Sequence, residues 1–338
     1  MKIPYKIFLP ILALLLLSCS GGGAGRSSGA GSGSGKNAPG YDPKTKTYKM
    51  KARKIGPDIY AVLSPARDLP NPKNGGWNSN SAFVITKDGV LLFDSGSSQK
   101  IGATLKQTIA TVTDKPVRWI VNSHAHGDHW LGNAAFKKTV KDIYASEQVA
   151  ESIFADGQTW IDRFRRMTKG AIGKSEIMAP EKTITKRTEV VLGGRKFVLF
   201  PSGNSHSRGD ILLWMPEERA LFTGDVVYST RMPSTFASNL DRWIVMLGEL
   251  ERLKPRVVVP GHGDLTDATS ITRMREMFTI LWRETRKHQK NGLSPEKTLP
   301  LVRQAVLKFK PHYPGFEDKL KRDMARVHAQ AEIANKRK

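Results

Sequence analysis

The segment His124-Ala125-His126-Gly127-Asp128-His129 constrains this chain more than any other. It follows the apolar run Val117-Arg118-Trp119-Ile120-Val121 with only Asn122 and Ser123 between, so the pattern predicts a β-strand that delivers three imidazoles and a carboxylate at its end. In an extended loop, His124 and His126 turn to the same side, while Asp128 and the adjacent His129 reach a second point nearby. That spacing suits two cations a few ångströms apart and forms half of a hydrolytic site.

The same motif of strand followed by polar loop recurs along the chain. Short apolar runs between 59 and 93 (IYAVLS, SAFVIT, VLLFD) are separated by Pro/Asn/Gly-rich turns such as 69–77 and read as β-structure. The spacing predicts helices over 99–112, 147–168 and 240–253, and strands at 196–200, 211–215, 220–222 and 257–259, each strand followed by a polar or Gly-containing turn. Beyond Asp267 the sequence is mostly helical. Ile271, Met274, Met277, Phe278 and Leu281 recur three or four apart, as one buried stripe requires. Alternating strands and helices without a fixed repeat predict a layered α/β domain.

Five of the eight histidines fall at predicted strand ends: His124, His126, His129, His206 and His262. His206 lies in Ser205-His206-Ser207-Arg208-Gly209-Asp210, His262 in Pro260-Gly261-His262-Gly263, and a further carboxylate, Asp225, in Phe222-Thr223-Gly224-Asp225. With Asp94 in LLFDSG, this series resembles the five-motif pattern of the metallo-β-lactamase superfamily over 59–264. The resemblance implies an αββα sandwich, here with extra C-terminal helices. It assigns His124, His126 and His206 to one metal, Asp128, His129 and His262 to a second, and Asp225 to a bridge between them. Asp128 and Asp225 are thereby the carboxylates expected at the catalytic centre, and Asp94 is expected to hold the His loop by hydrogen bonds. Asp210 either orients His206 or caps the turn into the next strand. Nitrogen and oxygen donors without thiolate fit two Zn²⁺, with iron or manganese also compatible. Two cations sharing a bridging water lower its pKa and deliver hydroxide at neutral pH, so no protein nucleophile is needed.

An aspartate at position 225 is typical of glyoxalase II-like, lactonase-like and phosphodiesterase-like branches, whereas β-lactamases usually carry cysteine or serine there. The stretch from Ser205 to Pro233 looks most like exported zinc hydrolases of sulfur-oxidation and quinoprotein relay systems. An ester, thioester or lactone is the expected substrate. The alternatives are a β-lactamase-type amide hydrolase, an envelope-anchored basic binding protein, and a nuclease or phosphodiesterase. Tyr228 and Arg231 either face the site, as oxyanion donor and as anchor for an acidic small-molecule substrate, or serve packing and a surface ion pair.

The amino terminus places this chemistry. Lys2 and Lys6 precede an apolar run from Ile7 to Leu17, too short to span a bilayer, and Leu16-Leu17-Ser18-Cys19 resembles a bacterial lipobox. Residues 1–18 are expected as a signal peptide and Cys19, the single cysteine, as the lipidated residue. Residues 19–40 read as a flexible Gly/Ser tether, 41–266 as the catalytic core and 267–338 as a basic helical extension packing on it. Serine after Cys19 favours an outer-membrane lipoprotein facing the periplasm. The formal charge is +23, and 283–338 carries 15 Lys/Arg against 6 Asp/Glu. A basic surface of this kind attracts anionic lipid, an acidic substrate or nucleic acid, the last being the least expected in an exported chain, or is simply a solvated helix face.

Overall fold

In the computed structural model, which describes residues 38–337, the apolar runs become the strands of two facing sheets. A hairpin of β1 (Gly40–Asp42) and β2 (Thr47–Lys49) precedes them. The seven-stranded sheet follows chain order: β3 (Ala52–Gly56), β4 (Ile59–Val62), β5 (Ser81–Ile85), β6 (Val90–Phe93), β7 (Val117–Val121), β8 (Asp142–Ser146) and β9 (Lys182–Ile184). Strands β3 to β6 pair antiparallel, and β6 to β9 pair parallel. Parallel neighbours need crossovers. These are α1 (Gln99–Ala110), then the short α2 (Gly127–Trp130) with a 3-10 turn at Asn133–Phe136, then α3 (Glu147–Met167).

The five-stranded sheet contains β10 (Thr188–Leu192), β11 (Arg195–Pro201), β12 (Ile211–Met215), β13 (Ala220–Tyr228) and β14 (Val257–His262). Its last two strands are parallel and joined through α4 (Leu240–Arg252). Helices α5 (Ala268–Lys290), α6 (Pro295–Val306) and α7 (Phe316–Lys336) complete the described chain.

Both faces of each sheet are covered, which is why the central strands read as continuous apolar runs. On β6, Leu91 and Phe93 point between the sheets with Ala61, Val84, Leu213 and Phe222. The alternate residues Val90 and Leu92 point outward onto Ile101, Leu105 and Ile109 of α1. The outer face of the second sheet packs on α4 to α7, where the predicted α5 stripe Ile271, Met274, Met277, Phe278 and Leu281 is fully buried. Burial contributes about 1.5–3 kcal/mol for each such side chain. The layers are helix, sheet, sheet, helix, the expected αββα sandwich with additional C-terminal helices.

Most predicted elements lie within a few residues of those observed, and two differences matter. The run at 220–222 does not end in a turn: β13 continues through Gly224 and Asp225 to Tyr228, its register against β14 shifting twice. Strands β1, β2, β3, β8, β9 and β10 add to the expected set; they are three to five residues long and all but β8 are partly or largely exposed, so no long apolar run marks them. The basic C-terminal segment contributes to the core through Leu320, Met324, Val327 and Ala331 of α7. Cys19, the 1–18 signal and nearly all of the 19–40 tether lie outside the described residues. No described helix is long and apolar enough to cross a membrane.

Candidate metal centre

Strand β7 ends at Val121, and the His loop leaves it under the control of Asp94 at the end of β6. The Asp94 backbone is left-handed (φ 56°), which turns its buried carboxylate toward the neighbouring strand end. That carboxylate accepts hydrogen bonds from Ser123 N at 2.8 Å and Ser123 Oγ at 2.7 Å. It also accepts from His129 Nδ1 at 2.8 Å, leaving Nε2 of that ring facing the site. The expected holding role of Asp94 is the contact the structure makes. His262 is oriented in the same way through Nδ1 and the Asn78 carbonyl, 2.7 Å apart.

The donor atoms fall into two groups on either side of Asp225. His124 Nε2 and His206 Nε2 lie 3.0 and 3.2 Å from His126 Nδ1, and they approach Asp225 Oδ2 to 3.9 and 3.4 Å respectively. On the other side, His129 Nε2 and His262 Nε2 lie 3.4 and 3.3 Å from Asp225 Oδ1, and His262 Nε2 lies 3.4 Å from Asp128 Oδ2. Four donors about 2.1 Å from a tetrahedral ion are separated from one another by about 3.4 Å, the spacing found here. His129 Nε2 and Asp225 Oδ1 are buried without a hydrogen-bond partner among the described residues. Buried polar atoms are normally satisfied, so the orphaned pair fits a centre that takes a divalent cation. Besides Asp225, the donors that could hold a cation form two groups, His124, His126 and His206 on one side and Asp128, His129 and His262 on the other.

The charges answer one another. Burial alone would lower the pKa of His129, but the carboxylates of Asp225, Asp128 and Asp94 outweigh it and push the ring up to about 10. Burial and the neighbouring imidazoles hold His206 down to about 3 despite Asp225. Asp225 sits well below the usual carboxylate range: burial opposes this, and His262, His129 and His206 overcome it.

Placing Asp225 between two groups requires the bulge in β13. Gly224 adopts φ 49°, and a Cβ there would collide with Ser123. Gly261 on β14 has no room for a side chain either, since a Cβ would meet Asp225 Oδ1. Tyr228 is buried, stacks on His262 (centroids 5.7 Å apart, planes 18°) and donates to Asp225 Oδ2 at 2.5 Å. Its hydroxyl thus serves the carboxylate. Asp210 resolves to an organiser of the His206 loop: it accepts from the backbone N–H groups of His206 and Ser207, and from the Ser207 hydroxyl.

The centre opens into a cavity of about 290 Å³. Leu69, Trp160, Phe164, Met167 and Phe236 form apolar walls, and Arg163, Arg231, Lys319 and Arg322 bring positive charge. Arg231 is 5% exposed and makes no ion pair among the described residues, so the surface-pair alternative is excluded. Sequence patterns do not single out the walls from α3 and α7. Nor do they single out Asn78, Ser79 and Asn80, which tie the centre together. Asn78 Nδ2 and Ser79 Oγ donate to Asp128, and Asn80 donates to the carbonyls of Pro260 and Gly263. Three successive polar residues between Trp77 and an apolar strand are the signal that could have found them.

A linear primary-alkylsulfatase from Pseudomonas sp. (strain ATCC 19151) is 23% identical over 273 residues, spanning 69% of this chain and 51% of that protein. Metallo-beta-lactamase IND-1 of Chryseobacterium indologenes is 25% identical over 195 residues, spanning 56% of this chain and 73% of the enzyme. Among solved structures, a variant of the sec-alkyl sulfatase PisA1 superimposes with a TM-score of 0.64, covering 85% of this chain and 50% of its own at 16% identity, a likeness of fold. The chain therefore spans about half the length of these two alkylsulfatases. The sequence signature described as Metallo-beta-lactamase superfamily matches residues 74–262, more than half of the chain. Every residue of the two donor groups falls inside that match, and the chain belongs to the metallo-beta-lactamase superfamily, whose members are metal-dependent hydrolases.

Proposed function

We propose that this chain is a dinuclear zinc hydrolase acting on an ester, thioester or lactone, held in a bacterial envelope through lipidated Cys19. The observation that carries the reading is the division of Asp225: one carboxylate oxygen faces His124 and His206, the other His129 and His262. When bound, zinc supplies Lewis acidity and a water acidic enough to act as nucleophile near neutral pH. Asp94, Asn78 and Tyr228 keep the donors in place, so the centre needs little rearrangement as charge develops. Arg231, buried beside the centre, offers an acidic substrate its counter-charge. The apolar walls offer a hydrocarbon part of the substrate a surface to pack on.

A sulfate ester is the second reading. It draws on the similarity to the alkylsulfatase and on a pocket that combines cations with apolar walls.

The test is metal quantification of the purified protein together with thioester, lactone, carboxylic-ester, alkyl-sulfate, phosphodiester and β-lactam substrates, for wild type and His126→Ala in parallel. The expected result is two metal ions per chain and turnover on an ester-type substrate that His126→Ala reduces to background. Stoichiometric metal with no metal-dependent turnover on any substrate refutes the hydrolase reading and favours a binding protein.

A further inference from the structure

We propose that Arg231 and Lys319 form a two-cation clamp that selects substrates with a carboxylate close to the scissile bond and an apolar tail, so that helix α7 of the C-terminal extension is a specificity element. The proposal rests on the hydrolase reading and narrows it to half-esters of dicarboxylic acids or similarly charged acyl esters.

Three observations carry it. First, Arg231 lines the cavity beside Tyr228 and is buried, yet its Nε and Nη1 find no hydrogen-bond partner among the described residues. A buried guanidinium without an acceptor is costly, and an anion placed in the cavity satisfies it with charge-assisted bonds. Second, Lys319 of α7 lines the same cavity, and its side chain makes no ion pair among the described residues. Burial and the nearby charges of Arg231 and Arg322 depress its pKa to about 7, a position an incoming anion reverses.

Third, the carboxylates in reach are occupied. Asp225 and Asp128 belong to the metal centre. Asp323, one turn beyond Lys319 on α7, accepts from Thr235 N at 2.8 Å and from the Arg322 guanidinium. This contact, with the bond from Met232 N to the Pro314 carbonyl, locks α7 to the segment that carries Arg231. Arg326 lies one further turn along and stacks 3.9 Å from the centroid of Phe236, which lines the cavity beside Leu69. One helix face therefore supplies a cation, the latch and the support of an apolar wall, since residues three and four apart are neighbours. Lys319 feels the charge of Asp225 and Arg231 that of Tyr228, so an anion held between them lies near the bond that breaks, and Leu69, Phe164, Met167 and Phe236 of the same cavity offer the tail an apolar surface.

The reaction adds water across the acyl C–O bond, giving a dicarboxylate, an alcohol and one proton. Mono-hexyl succinate and hexyl butyrate differ by a carboxylate in place of a methyl group, and hexyl sulfate carries its anion on the scissile bond itself. Kinetics with all three, and calorimetric binding of mono-hexyl succinate, are measured on the full metal-loaded chain for wild type, Lys319→Met, Arg231→Met and the charge-preserving Lys319→Arg. The expected result is a preference of about 10–100-fold in kcat/KM for mono-hexyl succinate over hexyl butyrate, the range that charged hydrogen bonds confer. Lys319→Met and Arg231→Met each lower that ratio about tenfold, mainly through KM, and Lys319→Arg restores most of it. A wild-type ratio near one with hexyl butyrate turned over overturns the clamp and leaves the hydrolase reading intact, as does turnover of hexyl sulfate alone. Where no ester is turned over, binding at least tenfold weaker in Lys319→Met upholds the clamp while the hydrolase reading falls, and equal binding overturns the clamp as well.

Discussion

Asp94→Asn isolates how much of the metal centre depends on a residue that contributes no donor atom to it. The Asp94 carboxylate accepts three buried hydrogen bonds of 2.7 to 2.8 Å, and Oδ2 alone serves both Ser123 Oγ and His129 Nδ1. An asparagine amide cannot reproduce this. With its NH₂ in the Oδ2 position it meets the N–H of His129, and the ring proton must move to Nε2, the atom that faces Asp225 and Asp128. Flipped over, the NH₂ meets the backbone N–H of Ser123 instead. Either orientation buries one mismatched donor, a cost of about 1–3 kcal/mol. That range agrees with the 10–100-fold loss of metal affinity, about 1.4–2.7 kcal/mol, typical of removing a group that orients a ligand. Competition for zinc against a chromophoric chelator measures it directly, with circular dichroism confirming that the fold persists. Zinc affinity in Asp94→Asn within about twofold of wild type refutes the reasoning, because His129 would then need no fixed tautomer.

Gly261→Ala places a methyl group on Asp225 Oδ1 and should cost about 1–3 kcal/mol of stability along with metal affinity, read by urea unfolding and chelator competition. Phe278→Ala empties a fully buried site packed 4.8 Å from Trp243 (centroid to centroid) and should cost about 3–5 kcal/mol in the same urea assay with no change in metal stoichiometry. Removing metal with a chelator should lower the melting temperature and abolish turnover; free zinc at about 100 times its dissociation constant restores about 2.7 kcal/mol. Lys319 has a pKa near 7 in the folded chain against 10.5 when unfolded, so the unfolded chain binds more protons between these values. Wild type should therefore gain stability relative to Lys319→Met as pH rises from 7 toward 10.5 and show a constant difference below 7. Urea midpoints of both proteins at pH 6, 8 and 10 decide this, and a difference that does not change with pH contradicts it.

Much of the metal centre is legible in the amino-acid sequence, because metal coordination restricts residue type and local spacing so tightly. His124, His126, Asp128 and His129 lie within six residues, and His206, Asp225 and His262 each come just after an apolar run, so local sequence points to the candidate donors and to the elements that deliver them. A layered α/β domain is legible for a similar reason, since strands buried on both faces must be apolar throughout and α5 must carry one stripe, whereas the αββα order is implied by the family resemblance. The extension of β13 through Asp225 is hidden because a bulge at Gly224 depends on how β13 and β14 sit side by side, while the sequence Thr-Gly-Asp reads equally well as a turn. The split of one carboxylate between two groups of imidazoles is likewise a matter of opposing loops. Tertiary structure alone decided the pocket. Lys319 is one of 54 lysines and arginines in a basic chain, and nothing local distinguishes it from a solvated residue. It reaches the cavity because Leu320, Met324 and Val327 bury the adjoining face of α7 and Asp323 fixes its position at Thr235. Charge can be read from sequence, whereas its removal from water depends on what packs around it.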